Sequence, residues 1–436
     1  MYIYTHWIFF LLCLLVVDLP HLLKKKKKKL SFSRKPKPKV PPMSQPTKKL
    51  ILSTECVPDD IVFDILTRLP VKSLIRFRCV SKSLNSTITS RIFITTHLKL
   101  NEAKSLSNKD SHNDYLLYTS KSEYFSSNEE LVAFVCNRDH ILTEISRFKT
   151  PSCFLDAYFV NCFCNGIFCL SRYDDDPIIC WNPSIRKFKM LAPALLTEVF
   201  SWVTLGLAYN SQNNDFKILR LMCSQKSDEE PDGPDRPAEA EVYTLSTDSW
   251  RKVVISVDSS ETNIGYVYHT SPFIFFNGAL HSIASTNNGR FILSFEVNDE
   301  RFHKIMLPQD SLDGYQGCLA VFKGLLAFIV LSRDIDPICD IWVMKEYGLV
   351  ESWTRKSVPI DWIHSFFGVT DNGELLFGND TQLNLIDPEK NLNQNILVSK
   401  RYIRWVGYAS NFMESLVLLD GGKCVVWIWR LVCWSF

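Results

Sequence analysis

The sequence predicts an α+β chain of more than one domain: a small three-helix module near the amino end, then an all-β, propeller-like domain of about six blades. Three observations carry this reading. Apolar residues in 57–90 stand at helical spacing broken by proline, residues from 114 onward switch to short strand-like runs, and those runs repeat with a period near 50. At 436 residues the chain has room for one small and one large domain.

Pro58 suits the first position of a helix, and Asp59 and Asp60 place negative charge at its amino end. Ile61, Ile65 and Leu69 recur at i, i+4 and i+8, with Val62 and Leu66 widening the stripe. Pro70 disfavours helix at Leu69 and ends the first helix there. A second helix is expected from Val71 to Val80, with Leu74, Ile75 and Phe77 apolar and Lys72 and Arg76 on a polar face. Ser81 is placed to cap a third, in which Leu84 and Ile88 stand at i, i+4. Helices this short bury too little to be stable alone, so part of their apolar surface is expected to meet a partner.

Strands are expected at Tyr115–Tyr118, Ile167–Leu170, Ile178–Trp181, Ile218–Leu221, Phe273–Phe276 and Leu325–Leu331. A glycine-led run recurs at Asn165-Gly166, Asn277-Gly278, Lys323-Gly324 and Asn372-Gly373, the last three glycines 46 and 49 residues apart. The first gap, 112 residues, is near two such units and holds Gly206. Each unit continues as strand, polar turn and strand with a bulky residue: Trp181 to Phe188, Val242 to Trp250, Leu293 to Phe302 and Ile341 to Trp353. Anchors 250, 302 and 353 are 52 and 51 apart, a spacing that kelch-type propeller blades show. Glycine is expected to permit a tight central strand, and the aromatic to fill the wedge between blades. A two-sheet sandwich is the competing architecture.

The remaining sequence narrows the function classes. Twelve of the 49 basic residues and one of the 47 acidic residues fall in 1–49, which leaves 37 basic against 46 acidic, about nine net negative charges, on the body. A mildly acidic body does not suit nucleic acid. The 14 cysteines lie at irregular spacings without a CxxC pair, and Cys162 and Cys164 stand too close for the usual zinc clamp; reduced thiols are expected, in a cytoplasmic and nuclear setting. The apolar run Trp7–Val17 is 11 residues long, short of a membrane span, and the six lysines Lys24–Lys29 follow it. An anchor with a polybasic collar is one reading; a low-complexity extension over residues 1–50, with Met43 as a sensible start, is the preferred one. The module then occupies 51–100 and the β domain 110–420, with 421–436 unassigned.

The segments Val57-Pro58-Asp59-Asp60-Ile61, Ile65-Leu66-Thr67-Arg68-Leu69-Pro70-Val71-Lys72-Ser73-Leu74 and Arg76-Phe77-Arg78-Cys79-Val80-Ser81-Lys82 resemble an F-box of the plant type. Val57 replaces the family's usual leucine and Leu84 its tryptophan. Trp181-Asn182-Pro183, Gly206-Leu207-Ala208-Tyr209, Asn277-Gly278-Ala279-Leu280-His281 and Ile341-Trp342-Val343-Met344 are similar to the F-box-associated domain paired with it, in the F-box/kelch-repeat manner. Ser282 stands where that family tends to carry tryptophan. The resemblance implies a substrate-recognition subunit of a Skp–cullin–F-box ubiquitin ligase, without active site, cofactor or metal. Its Skp-type adaptor would be met by Pro58, Ile61, Ile65, Leu66, Leu69, Pro70, Leu74, Phe77, Val80 and Leu84, with Leu66, Leu69, Pro70 and Leu74 central. A target protein would be held by loops of the β domain, the acidic stretch 224–241 and Asp258–Pro272 among them.

A kelch-type propeller enzyme and a non-ligase scaffold are the alternatives. The nine histidines form no H-E-x-x-H and no i, i+4 pair. His269 and His281 could converge on a metal, but a surface or core role is the simpler expectation. Gly421-Gly422-Lys423 lacks the remainder of a phosphate loop, and Asp174-Asp175-Asp176 before Pro177 reads as a turn.

Overall fold

The computed structural model describes residues 57–107, 114–120, 131–138, 141–149, 159–171, 177–196, 202–223, 238–256, 266–267, 273–286, 289–309, 317–332, 337–360, 365–370, 372–378, 383–390, 392–396, 410–411 and 413–417. Trp7–Val17, Lys24–Lys29, Asp174–Asp176, His269 and Gly421–Phe436 lie outside these. No helix among the described residues is long and apolar enough to cross a membrane.

The helical module has four helices where three were expected: α1 (Asp59–Thr67), α2 (Val71–Phe77), α3 (Lys82–Thr89) and α4 (Arg91–Ser107). Pro58 is the N-cap of α1, and Pro70 separates α1 from α2. The second helix stops at Phe77, three residues before the expected end. Ser81 caps α3 as expected, its Oγ accepting the Leu84 N–H at 3.1 Å. The fourth helix carries no clean apolar stripe to announce it. It is held by tertiary contact, packing on α1 and α3 through Phe93, which is fully buried and meets the Phe63 ring edge-on at 5.2 Å.

Each expected strand is present, and the strands form antiparallel sheets of four or five members. Five sheets are blades built from strands consecutive in the chain: residues 159–190, 202–253, 266–306, 317–359 and 365–396. The sixth is composite. Its strands Asp114–Ser120, Leu131–Arg138 and Ile141–Lys149 come from the start of the domain, and a short strand, Ser410–Asn411, from its end adds to their edge. The expected six blades are therefore corrected to five continuous ones plus this composite sheet. A reading based on consecutive hairpins has no way to pair residue 117 with residue 410.

The blades form a ring. The first strand of each described blade meets that of the next, from Phe159–Cys164 to Trp202–Asn210, Ile274–Phe276, Gly317–Phe322 and Ser365–Val369. On the outside, Leu392–Ile396 meets Ile141–Lys149, so the last blade adjoins the composite sheet. Such a ring excludes the sandwich, in which sheets stack face to face.

The recurring glycines do not sit in a central strand, as expected, but in the turn before it. Asn165-Gly166, Asn277-Gly278 and Lys323-Gly324 each join the first two strands of a blade, with φ of 46° and 80°, 49° and 78°, and 49° and 77°. Positive φ at both positions is the two-residue hairpin turn whose twist matches the strands it joins. The aromatic anchors do fill the gaps between blades. Trp250 is buried and donates its indole N–H to the Ala192 carbonyl at 2.8 Å, and Trp353 donates to that of Met306 at 3.1 Å, each reaching the exit of the preceding blade.

Buried charges tie blades together as well. Lys189 in the first blade bonds Asp248 in the second at 3.0 Å. Lys217 in the second reaches the turn of the third, bonding Val297 O and Glu300, both at 2.7 Å. Glu241, taken from sequence as part of an acidic loop, is instead fully buried in the strand Glu239–Thr244. It pairs with Arg220 at 2.7 Å and accepts the N–H groups of Leu195 and Leu196. The cysteines at Cys162, Cys169 and Cys180 lie in line across three strands of the first blade as buried free thiols.

The turns give a paired prediction. A Cβ on Gly166 would lie 2.5 Å from Ser415 Cβ and 2.6 Å from Met413 O, whereas one on Gly278 meets nothing within 4 Å. Gly278→Ala should cost only the left-handed strain, ~1 kcal/mol. Gly166→Ala should cost at least ~3 kcal/mol, since backbone must also move. Denaturant titration of both variants checks the order.

Candidate protein-docking surfaces

The first α-helix carries two apolar rows, and the fold gives them different work. Leu66 is buried at 1% exposure, with Leu74 and Phe77 of α2 at 0% and 7%. These three hold the module together, and a partner reaches them only if the module opens. Leu66 and Leu74, expected at the centre of a contact, are therefore buried inside the module rather than on its surface. Of the other expected contact residues, Pro58 and Pro70 are exposed, as are Ile61 at 51% and Val80 at 45%. Ile65, Leu69 and Leu84 are half-buried. Ile92, at 75% exposure on α4, was missed because its helix was missed; within the run Ile92-Phe93-Ile94 nothing in the sequence separates the exposed residue from the buried one.

The same module is docked on the ring, with which it forms one compact unit, Val57–Phe436. Leu98 of α4 belongs to the apolar cluster of the first two blades, among Cys162, Cys164, Leu205, Leu207 and Tyr209, and Ile94 packs against it. Around this apolar centre lie polar ties. Asn165 donates to Glu102 at 2.5 Å, and Arg91 donates to Asn213 O at 2.8 Å. His97 is buried against Leu69 O at 3.1 Å, and desolvation lowers its pKa. Burial raises the pKa of Glu102, opposed by the Asn165 hydrogen bond.

Both helix-contacting turns, 165–166 and 211–214, join first to second strands, at one end of their blades. In an antiparallel meander, connections alternate between ends. The links from second to third strands, and from one blade to the next, therefore leave from the opposite end. Those include the stretches after Cys223 and after Val253. A nine-residue strand such as Asp215–Cys223 puts the two ends roughly 30 Å apart.

Comparison with known proteins agrees with this division. Residues 55–96 match the F-box domain family, and residues 146–415, more than half of the chain, match the F-box associated beta propeller domain family. The chain belongs to the F-box proteins with an F-box associated β-propeller. An F-box protein of Arabidopsis thaliana, At1g47730, is 29% identical to it over 341 residues, 76% of this chain and 81% of that one. The Arabidopsis thaliana F-box protein CPR1 is 27% identical over 316 residues, 69% of this chain and 72% of that protein. An F-box/kelch-repeat protein of the same plant is 25% identical over 321 residues, 72% of this chain and 82% of that one. Among solved structures, TolB from Acinetobacter baumannii aligns with a TM-score of 0.41 at 10% identity, over 72% of this chain and 71% of that one, too distant to bear on function.

In this F-box protein His281, considered from sequence as a metal ligand, is fully buried at the start of the strand Ala279–Thr286. Its Nε2 lies 2.7 Å from the Tyr347 hydroxyl, and the two rings pack edge-on, joining the third blade to the fourth. Among the described residues no group of three His, Cys, Asp or Glu is placed to hold a metal ion. Ser282, in the position of the family tryptophan, is buried beside it.

Desolvation pushes the His281 pKa down to about 4 from the ordinary value near 6.5. Between those values the unfolded chain binds a proton that the folded chain does not, so stability falls as pH falls from about 6.5 to about 4. The loss attributable to His281 should approach ~3 kcal/mol. Denaturant titrations from pH 7 to pH 4 should show a shallower decline for His281→Gln than for wild type; equal slopes would remove His281 as the cause.

Proposed function

We propose that this F-box protein is the substrate-recognition subunit of a Skp–cullin–F-box ubiquitin ligase. The observation that carries the reading is the split of apolar residues in the helical module. Leu66, Leu74 and Phe77 close the module, while Ile61, Val80, Pro58 and Pro70 stay exposed on a domain whose family is the F-box. Exposed apolar side chains on so small a module suit a protein partner of matching shape, and the F-box family points to a Skp-type adaptor that bridges to a cullin.

The propeller then holds the target protein, from connections at the end of the blades remote from the helices. Loops on a rigid scaffold are where recognition ordinarily resides. Holding the target on the same particle as a charged ubiquitin carrier makes attack by a target lysine effectively intramolecular, which raises its rate without an active site in this chain. Cytoplasmic and nuclear location is part of the proposal; eight cysteines, among them Cys162, Cys169 and Cys180, are free thiols, which suits a reducing compartment.

Ile61→Ala combined with Val80→Ala should weaken binding of a Skp-type adaptor by ~2 kcal/mol, roughly 30-fold, with little change in folding stability. Leu66→Ala should do the reverse at first order, costing ~3 kcal/mol of stability through the cavity it leaves. Calorimetric titration with the adaptor, alongside thermal melts, separates the two. Undiminished adaptor binding by the Ile61/Val80 double variant would sink the assignment of this surface.

A further inference from the structure

Residues 413–417 follow the last described strand of the ring and run between the helical module and the first blade. Four sets of contacts hold them. Asn182, fully buried, donates its side-chain amide to Ser415 O and to Val417 O, both at 3.1 Å. Ser415 is itself fully buried, and its N–H donates to Ser184 Oγ at 3.4 Å. The Asn165-Gly166 turn closes on the segment so tightly that a Cβ on Gly166 would overlap Ser415 and Met413. On the other side Glu414 Oε2 accepts the N–H of Val71 at 3.0 Å, and Glu414 O accepts from Asn101 Nδ2 at 3.3 Å.

Those last two bonds matter because of what α2 lacks. Its N-cap is Pro70, whose side chain makes no capping hydrogen bond, so the amino end of α2 is served by a carboxylate more than 340 residues away. One residue thus bonds two helices of the module, while its neighbours are clamped by a buried asparagine of the ring. The apolar contact of Leu98 sets the module on the ring, but an apolar contact is non-directional. The directional bonds fix the angle.

We propose that segment 413–417 is a strap that sets the orientation of the helical module on the propeller, with Glu414 and Asn182 as positioning residues. The proposal rests on the ligase reading for its purpose: ubiquitin transfer needs a fixed span between adaptor and target. Neither residue belongs to the exposed apolar set Ile61, Val80, Pro58 and Pro70.

Hydrogen exchange on the full chain tests it without adaptor or target. Glu414→Ala should speed exchange at least tenfold both at residues 71–77 and at residues 91–104, with the first blade unchanged. Glu414→Gln, which keeps an acceptor oxygen, should stay near wild type. Asn182→Asp, which removes the donor, should give the Glu414→Ala pattern; if that variant does not fold, the Glu414 pair decides alone. Faster exchange confined to the first turn of α2 would mean simple capping and would overturn the strap, as would no change at all. In a reconstituted ligase, Glu414→Ala should keep adaptor affinity within about twofold while ubiquitin transfer to the chain itself drops severalfold. Absence of any transfer by wild type would count against the ligase reading and leave the exchange result standing.

Discussion

The structure depends on one backbone constraint: first and second strands of a blade are joined in two residues, both at positive φ. That geometry keeps the strands antiparallel and in register, and it holds in three of the blades at Asn165-Gly166, Asn277-Gly278 and Lys323-Gly324. Because the turn is so short, that end of these three blades is trimmed close. The helical module sits on that trimmed end, and the long connections are left to the other. The helix-bearing end of the first two blades and the opposite end are thus set apart by the chain's turns before any side chain is considered.

In the first blade the same turn has a second use. Gly166 not only takes φ of 80° but leaves the space through which residues 413–417 pass. The chain therefore closes on itself twice near one point. Ser410–Asn411 joins the sheet begun at Asp114–Ser120, and three residues later, at Glu414, the chain lies against the helices. Closure of the ring and seating of the helical module thus share one short part of the chain, residues 410–411 and 413–417.

Several polar groups of the ring are matched across blade boundaries. Lys189 to Asp248, Lys217 to Glu300 and the indole of Trp250 to Ala192 each cross from one blade to its neighbour. A buried charge with its partner removed costs far more than the pair contributes, so such ties penalise wrong angles between blades more than they add stability. Arg251 also bonds Glu300, so that one carboxylate answers two cations at the junction of the second and third blades. The acidic residue that composition assigns to a solvated loop, Glu241, belongs to this buried set.

The sequence by itself determined the local features of this protein. Prolines at 58 and 70 and the serine at 81 place helix boundaries because their effects act within one turn of chain. A glycine-led turn and a bulky residue recurring about every 50 positions mark several blades because hairpins are local too. The motif residues 57–82 and 181–183 were legible for the same reason, and with them the family. What only the tertiary structure decided is long-range. The fourth helix exists by packing on the others and on the ring, not by its own weak apolar pattern. The composite sheet pairs residues almost 300 positions apart, so no period reveals it. Which apolar residues of α1 and α2 face outward depended on where that fourth helix lies. Leu66 and Ile61 look alike in a stripe; only the packed neighbours separate a core residue from an exposed one.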